Sequence, residues 1–154
     1  MTAMQLALLI ASFALAMIAA GQVWLVQLSS YRLWAFVGRG EWRAYHEAWW
    51  HSIWFVVIAP ALILFLLSIL MLAWRPAGVP AWTVWAGFAL QVALIAGTVL
   101  WWAPLMANLL AEDGSLPAKR YRLLLSTHWL RVAVVSAYAA LSLYMVEASF
   151  RAWL

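Results

Sequence analysis

Residues 41–60 read EWRAYHEAWWHSIWFVVIAP, and the stretch passes from charged and aromatic residues to a wholly apolar run. As a helix it enters a membrane from the aqueous side and places His46, Glu47 and His51 near the depth where water gives way to lipid. Polar groups at that depth are costly, so each needs an internal partner or a function. The stretch therefore predicts a transmembrane helix and also the place of any chemistry.

The composition of the chain is that of an integral membrane protein. Of its 154 residues, 69% are hydrophobic and 9% are charged, whereas soluble domains are roughly half apolar and a quarter charged. The lack of cysteine excludes disulfides, thiolate metal sites and cysteine nucleophiles. The net charge of +4 comes from basic residues grouped in loops, and no basic face of the kind that a nucleic-acid partner requires is present.

Apolar runs separated by short breaks predict an all-α integral membrane fold, a bundle of four transmembrane helices in a single domain. We place the helices at about residues 4–28, 41–74, 81–110 and 117–152, each long enough to cross about 30 Å of hydrocarbon. The segment SSYRLWAFVGRG, residues 29–40, is too apolar for a free loop, and we expect a short interfacial segment there, between helices one and two. Pro60 is expected to kink the second helix.

The chain carries thirteen tryptophans, most of which fit the aromatic belts at the two membrane surfaces. One belt is expected to contain Trp74, Trp82, Trp85 and Trp153, and the other Trp34, Trp42, Trp49 and Trp50. Adjacent tryptophans cannot both face lipid comfortably at one depth. One member of each of the pairs Trp49–Trp50 and Trp101–Trp102 is therefore expected to line an internal cavity.

The basic residues predict the orientation of the bundle. The first and third connections with their flanks carry most of them, namely Arg32, Arg39, Arg43, Lys119, Arg120 and Arg122. Only Arg75 and Arg151 stand at the opposite end. By the positive-inside rule, connections one and three face the cytoplasm, and both termini lie on the periplasmic side of a bacterial inner membrane.

This topology brings polar side chains from all four helices to one end of the bundle. Gln22 and Gln27 end helix one. His46 and His51 begin helix two, Asn108 ends helix three, and His128 and Arg131 begin helix four. His46 and His51 diverge by about 140° around their helix, so neither forms a site with the other alone. Helix four has to supply the opposite side of any site.

Three interpretations of these residues remain open. In the first, Glu47, His51 and His128 bind a metal, or a histidine binds haem, because helical bundles build metal sites from carboxylates and imidazoles on facing helices. In the second, a histidine such as His46 or His128 acts as a catalytic base, since imidazole exchanges protons near neutral pH. In the third, the polar groups satisfy one another, for example as an Arg43–Glu47 ion pair.

The catalytic interpretation needs a set of substrate contacts as well. Rings such as Tyr45 and Trp50 would hold a flat hydrophobic substrate that arrives from lipid, and Asn108 and Arg131 would bind its oxygens. The predicted partners are thus membrane lipid and a hydrophobic small molecule.

Four short motifs resemble small bacterial four-helix membrane proteins related to the anthrone-oxygenase-like family. They are YRLWAFVGRGEWRAYHEAW after helix one, the Pro60 region, APLMANLLA at the end of helix three, and STHWLR at the start of helix four. The resemblance covers most of the chain and implies oxygenation of aromatic polyketide-like substrates. It points by position to His46, Asn108, Trp129 and Arg131 as functional residues. The chain departs from the pattern at His128, where relatives often have asparagine, and it adds His51.

Two functional hypotheses follow. The first is a membrane oxidoreductase or oxygenase-like enzyme that acts on an aromatic or quinone-like substrate at the cytoplasmic end of the bundle. The second is a non-catalytic accessory subunit of a larger membrane complex that binds pigment, haem or lipid. A homo-oligomer is compatible with both. The enzyme hypothesis requires His46, His51, His128 and Arg131 to turn inward around a shared cavity.

Overall fold

The computed structural model describes residues 2–152, which are helical apart from short connections. Four long helices are present: α1 (Ala3–Phe36), α2 (Trp42–Ala73), α3 (Ala81–Ala107) and α4 (Ala118–Arg151). Each is long and apolar enough to cross a membrane, so the chain is a multi-pass membrane protein. The predicted fold class, an all-α bundle of four transmembrane helices, is confirmed.

The helices pack in the order in which they occur along the chain. α1 packs against α2 and α4, and α3 packs against the same two neighbours. Short connections make consecutive helices antiparallel. The first and third connections, residues 37–41 and 108–117, therefore lie at one end of the bundle. We call this the basic end, after the arginines and lysine that flank both connections.

Small residues let α1 and α4 approach closely in the middle of the bundle. Ala16 is fully buried in a cluster with Tyr138 and Ala139 of α4. At the end away from the basic end, Gly78 adopts a positive φ of 81° in the turn between α2 and α3, and a Cβ there would lie 2.6 Å from the Cβ of Ala152. Only glycine fits that turn without strain.

The first helix is longer than the sequence predicted. α1 continues through Phe36, and Tyr31 and Trp34 are each only 1% exposed. Residues 29–36 therefore extend the bundle instead of lying on its surface as a separate interfacial segment. The reason is that Gln27, Tyr31 and Trp34 recur at helical spacing, so one continuous helix buries all three.

Three of the helices contain a π-helical turn in the half toward the basic end, at Val26–Ser30, Trp54–Ile58 and Thr98–Trp102. On a regular helix of 3.6 residues per turn, each residue lies about 40° around the axis from the residue four positions before it, so residues spaced by four gradually leave a single face. Leu94, Trp102 and Met106 follow such spacing and are all buried. The wider π turn keeps them on the inner face, and such turns occur frequently at functional sites.

The π turn of α2 ends two residues before Pro60, where the sequence predicts a kink. A proline has no N–H, so a carbonyl of the preceding turn loses its helical partner. Gln22 of α1 supplies a substitute, because its Nε2 donates to the Val56 carbonyl over 2.7 Å. The irregular backbone is thus satisfied from a neighbouring helix, as a membrane interior requires.

Candidate functional site

Arg131 is the centre of the polar site inside the basic end. Its side chain is on α4, and the residue is 6% exposed. One guanidinium nitrogen, Nη2, donates to the Thr98 hydroxyl over 3.2 Å, and the guanidinium carbon lies 5.5 Å from the centroid of the Trp102 ring. Thr98 in turn donates to the Leu94 carbonyl over 2.7 Å. Two contacts from the π turn of α3 therefore hold the cation.

Among the described residues, no carboxylate forms an ion pair with this buried cation. Within residues 2–152, the one ion pair joins Glu147 and Arg151, which are exposed at the far end of α4. A buried charge without a partner is expensive, whereas a paired one is tolerated. The part of the chain that the structure describes thus holds an inward-facing guanidinium and supplies no counter-charge for it.

His128 precedes Arg131 by one helical turn and lies on the same face of α4. The residue is 1% exposed, and its Nδ1 is 2.8 Å from Oε1 of Gln27. The amide nitrogen of Gln27 donates to the Leu125 carbonyl over 3.1 Å, so its oxygen is the acceptor and Nδ1 of His128 carries the proton. Nε2 has no hydrogen-bond partner among the described residues, which leaves it available to a ligand.

Tyr31 closes the site on the side of the basic end. Its ring meets the His128 ring edge-on at 4.8 Å between centroids, and its hydroxyl donates to the Met106 sulfur over 3.3 Å. The Tyr121 hydroxyl donates to the Tyr31 carbonyl over 2.8 Å. Tyr31 therefore bridges α1, α3 and α4 next to the histidine.

Two cavities meet at Arg131. The larger, about 280 Å³, lies between α2 and α3 and is almost entirely apolar. Trp50, Ile53, Thr98 and Met106 are among its lining residues. The smaller, about 50 Å³, lies between α1, α2 and α4 and is lined by His128 and Tyr31 as well as by Arg131. The guanidinium thus lines both cavities, and the smaller one adds the polar side chains of His128 and Tyr31 to a mostly apolar lining.

His46 does not belong to this site. It is buried, but its Nε2 donates to the Met106 carbonyl over 3.0 Å, and it lines neither cavity at Arg131. In the same way, the Trp42 indole donates to the Leu109 carbonyl over 2.6 Å. The Arg120 guanidinium donates to the Asn108 carbonyl over 2.9 Å. These carbonyls lie at the end of α3, where a helix leaves carbonyls unpaired. The geometry gives His46 a structural contact in place of the predicted catalytic position.

The predicted metal ligands do not come together. Glu47 and His51 are exposed on the outside of α2, whereas His128 is buried on α4. The buried face of this part of α2 carries Trp42, His46 and Ile53, and helical periodicity turns residues 47 and 51 away from it. In the part of the chain that the structure describes, no three metal-ligating side chains form a group. The Arg43–Glu47 ion pair is likewise not formed among these residues.

Of the predicted substrate contacts, only Trp50 lines the large cavity. Tyr45 is 39% exposed and stacks on the outside of Trp42. Trp129 is 42% exposed and meets Trp24 on the outer surface. Asn108 is exposed, because α3 ends at Ala107 and its amide donates back to the Pro104 carbonyl over 2.8 Å. These three side chains are directed away from Arg131.

The predicted tryptophan belt is present at the far end of the bundle, whereas two of the tryptophans predicted for the belt at the basic end are buried. Trp102 is 4% exposed and Trp101 50%, so one member of that pair faces inward, but Trp102 packs against Gly97 and Arg131 and lines neither cavity at Arg131. Trp74, Trp82 and Trp85 are exposed as expected of a belt, and Trp153 lies outside the described residues. Trp34 and Trp42, by contrast, are each 1% exposed, so they form part of the core and not of a lipid-facing belt.

Gln27 was expected among the polar groups at this end, but three other residues of the site were not predicted as part of it: Tyr31, Thr98 and Trp102. A signal for Tyr31 was present, since it lies on the helical face that runs from Gln27 to Trp34. Thr98 and Trp102 reach the site through a π turn, which no pattern in a single sequence indicates.

Comparison with protein-family models, with curated proteins and with solved structures finds no match to this chain. The relationship to the anthrone-oxygenase-like family therefore stays a prediction. Any functional conclusion rests on the geometry at Arg131.

Proposed function

We propose that this protein binds a hydrophobic, aromatic or quinone-like molecule in the cavity between α2 and α3 and holds a carbonyl or anionic oxygen of that molecule against Arg131. The observation that supports this most strongly is a buried guanidinium at the side of an apolar cavity, with no counter-charge among residues 2–152. Ionisable residues inside a membrane protein are rare and generally mark a substrate or ion site.

The hydrogen-bonding capacity of Arg131 supports a ligand with oxygen atoms. A guanidinium carries several N–H donors in a fixed fork that matches carboxylate and carbonyl oxygens. The described residues accept one hydrogen bond from it, at the Thr98 hydroxyl. A ligand oxygen would use the remaining donors and offset part of the cost of burying the cation.

The rest of the cavity supports an apolar ligand that arrives from lipid. The cavity reaches from buried Met106 to the outer surface of the helices. The lining residues at that surface are about half exposed or more, namely Trp54, Leu62 and Val99. A volume of about 280 Å³ is at the small end of ligand pockets and suits one ring system. The ring of Trp50 offers a flat surface for stacking.

His128 supports the enzymatic form of the proposal, a membrane oxidoreductase or oxygenase-like protein. Reactions of quinones and phenols exchange protons at the ligand oxygen, and a neutral imidazole can accept one there. Nδ1 is fixed by Gln27 and Nε2 is free, so the imidazole is oriented as a proton acceptor. His128 and Arg131 both line the small cavity, so a ligand oxygen held at Arg131 and directed into this cavity would lie near both groups.

We further propose that the basic end faces the cytoplasm of a bacterial inner membrane. The distribution of basic residues supports this orientation, because six of them flank the two connections at that end. A reporter enzyme fused to the C-terminus and active only in the periplasm should be active. Inactivity, with a cytoplasmic reporter active instead, would reverse the orientation.

A binding titration tests the proposed function. The purified protein in lipid nanodiscs is titrated with a short-chain benzoquinone, and tryptophan quenching is compared for the wild type, Arg131→Leu and His51→Ala. Replacing a buried ion by an apolar residue of similar size is often tolerated, so Arg131→Leu should fold. A hydrogen bond to a charged group contributes about 1.5–3 kcal/mol, so its loss should weaken binding by about tenfold or more.

His51→Ala is the matched control, because His51 is exposed on α2 and should leave the affinity unchanged. Quenching that rises linearly with quinone and is identical in all three proteins would overturn the proposal. That result would favour the alternative, a non-catalytic accessory subunit.

A further inference from the structure

A groove between α1 and α4 lies at the basic end, on the opposite side of Gln27 from the buried site. It has a volume of about 500 Å³ and is wide open to the surroundings. Its lining residues are Gln27, Arg32, Arg122, Leu125, Ser126 and Trp129. The proposed function does not use this groove.

The charge of the groove is positive and uncompensated. Arg32 and Arg122 are exposed, one on each helix, and neither forms an ion pair within residues 2–152. No acidic residue lines the groove. Two guanidinium groups that line one concave surface form a site for an anion, and planar N–H forks match phosphate oxygens well.

The groove continues into a surface suited to lipid chains. Arg122, Ser126 and Trp129 are spaced i, i+4 and i+7 and therefore form one stripe on α4. Trp129 lies about 10 Å deeper along the axis than Arg122, at about 1.5 Å per residue. Its ring meets that of Trp24 at 5.7 Å, and the Trp24 indole donates to the Ser136 hydroxyl over 3.1 Å. The stripe thus passes from cationic to aromatic as it enters the membrane.

We infer that this groove binds the phosphate group of an anionic membrane phospholipid. The phosphate lies between Arg32 and Arg122, and the acyl chains run over Trp24 and Trp129. Basic pockets between transmembrane helices recognise anionic head groups in this way. A free phosphate would use the arginines but would leave the aromatic surface uncovered, so the occupant is the lipid.

Native mass spectrometry of the detergent-solubilised protein tests this inference. Phosphatidylglycerol and phosphatidylcholine with identical acyl chains are added in turn, and the fraction of protein with bound lipid is measured. The double variant Arg32→Gln/Arg122→Gln is compared with Arg39→Gln/Arg43→Gln. Both remove two exposed positive charges from the same end, but only the first pair lines the groove.

The wild type should retain phosphatidylglycerol over phosphatidylcholine. Each groove arginine should account for about fivefold in affinity, so the groove variant should lose about twenty-five-fold and the control less than twofold. Equal losses in the two double variants would overturn the inference in favour of diffuse charge attraction. So would equal retention of both lipids, or displacement of phosphatidylglycerol by millimolar inorganic phosphate.

Discussion

Gly97→Ala should disturb the site without touching any of its polar groups. Gly97 lies on α3 directly before the π turn, and the Trp102 ring folds back over it. A Cβ at this position would lie 2.6 Å from Cζ3 of the Trp102 ring and 3.2 Å from Cη2. Carbon atoms in contact normally lie about 3.5–4.0 Å apart, so the ring would have to move by about an ångström.

The ring has little room for this movement. Trp102 is 4% exposed, and the Arg131 guanidinium lies against its ring. Overpacking of a core costs about 1–3 kcal/mol, whereas alanine gains up to about 1 kcal/mol over glycine in a helix. The expected net result is a loss of up to about 2 kcal/mol in the free energy of unfolding. Displacement of the ring should also weaken quinone binding.

The chain provides matched controls for this substitution. A Cβ at Gly21 of α1 would have no atom within 4 Å, so Gly21→Ala should be neutral or slightly stabilising. A Cβ at Gly87 would lie 3.2 Å from the Tyr138 ring, which predicts an intermediate effect. Reversible unfolding in mixed SDS micelles measures all three variants, and the quinone titration measures binding.

The order of stability should be Gly21→Ala, then Gly87→Ala, then Gly97→Ala as the least stable. If Gly97→Ala matches Gly21→Ala in both stability and affinity, the packing of Trp102 on Gly97 does not position Arg131. The π turn of α3 would then have no part in forming the site.

Further predictions concern single contacts. Gln22→Leu should lower the free energy of unfolding in SDS micelles by about 0.5–1.5 kcal/mol, because the Val56 carbonyl loses its partner; unchanged stability would contradict this. His128→Ala should weaken quinone binding more than His46→Phe, because only His128 lines a cavity at Arg131, and equal losses of affinity would contradict the assignment. Hydrogen bonds from the hydroxyl and the backbone N–H of Ser115 hold the pKa of Asp113 below its ordinary value. The third connection should therefore be ordered by these bonds above the ordinary pKa and lose that order as the pH falls through the lowered pKa. NMR of the labelled Asp113 carboxyl measures the pH of this transition. A transition at or above the ordinary pKa would contradict the prediction.

The sequence was sufficient to predict the four transmembrane helices, because an apolar run of about twenty residues can cross a membrane only as a helix. It was also sufficient to bring His128 and Arg131 to one end and one face, since residues three apart on a helix share a side. Trp129 is about 200° from Arg131 at 3.6 residues per turn, and this spacing already argues against a shared cavity. The family resemblance had pointed to both residues together.

The sequence could not show which face of α2 and α3 turns inward near the basic end. Each helix changes its winding there, at Trp54–Ile58 and Thr98–Trp102. These turns decide that Trp102 meets Arg131 and that the large cavity opens between the two helices. The contact of His46 with the Met106 carbonyl was equally unpredictable, because it depends on where α3 ends.

Photo-crosslinking with an azido-benzoquinone in nanodiscs shows where a ligand binds relative to Arg131. We predict labelling along the cavity between α2 and α3, at residues such as Trp50 and Met106, and loss of that labelling in Arg131→Leu. Labels spread evenly over lipid-facing residues such as Leu143, and unchanged by the substitution, would contradict the claim that Arg131 holds a ligand oxygen.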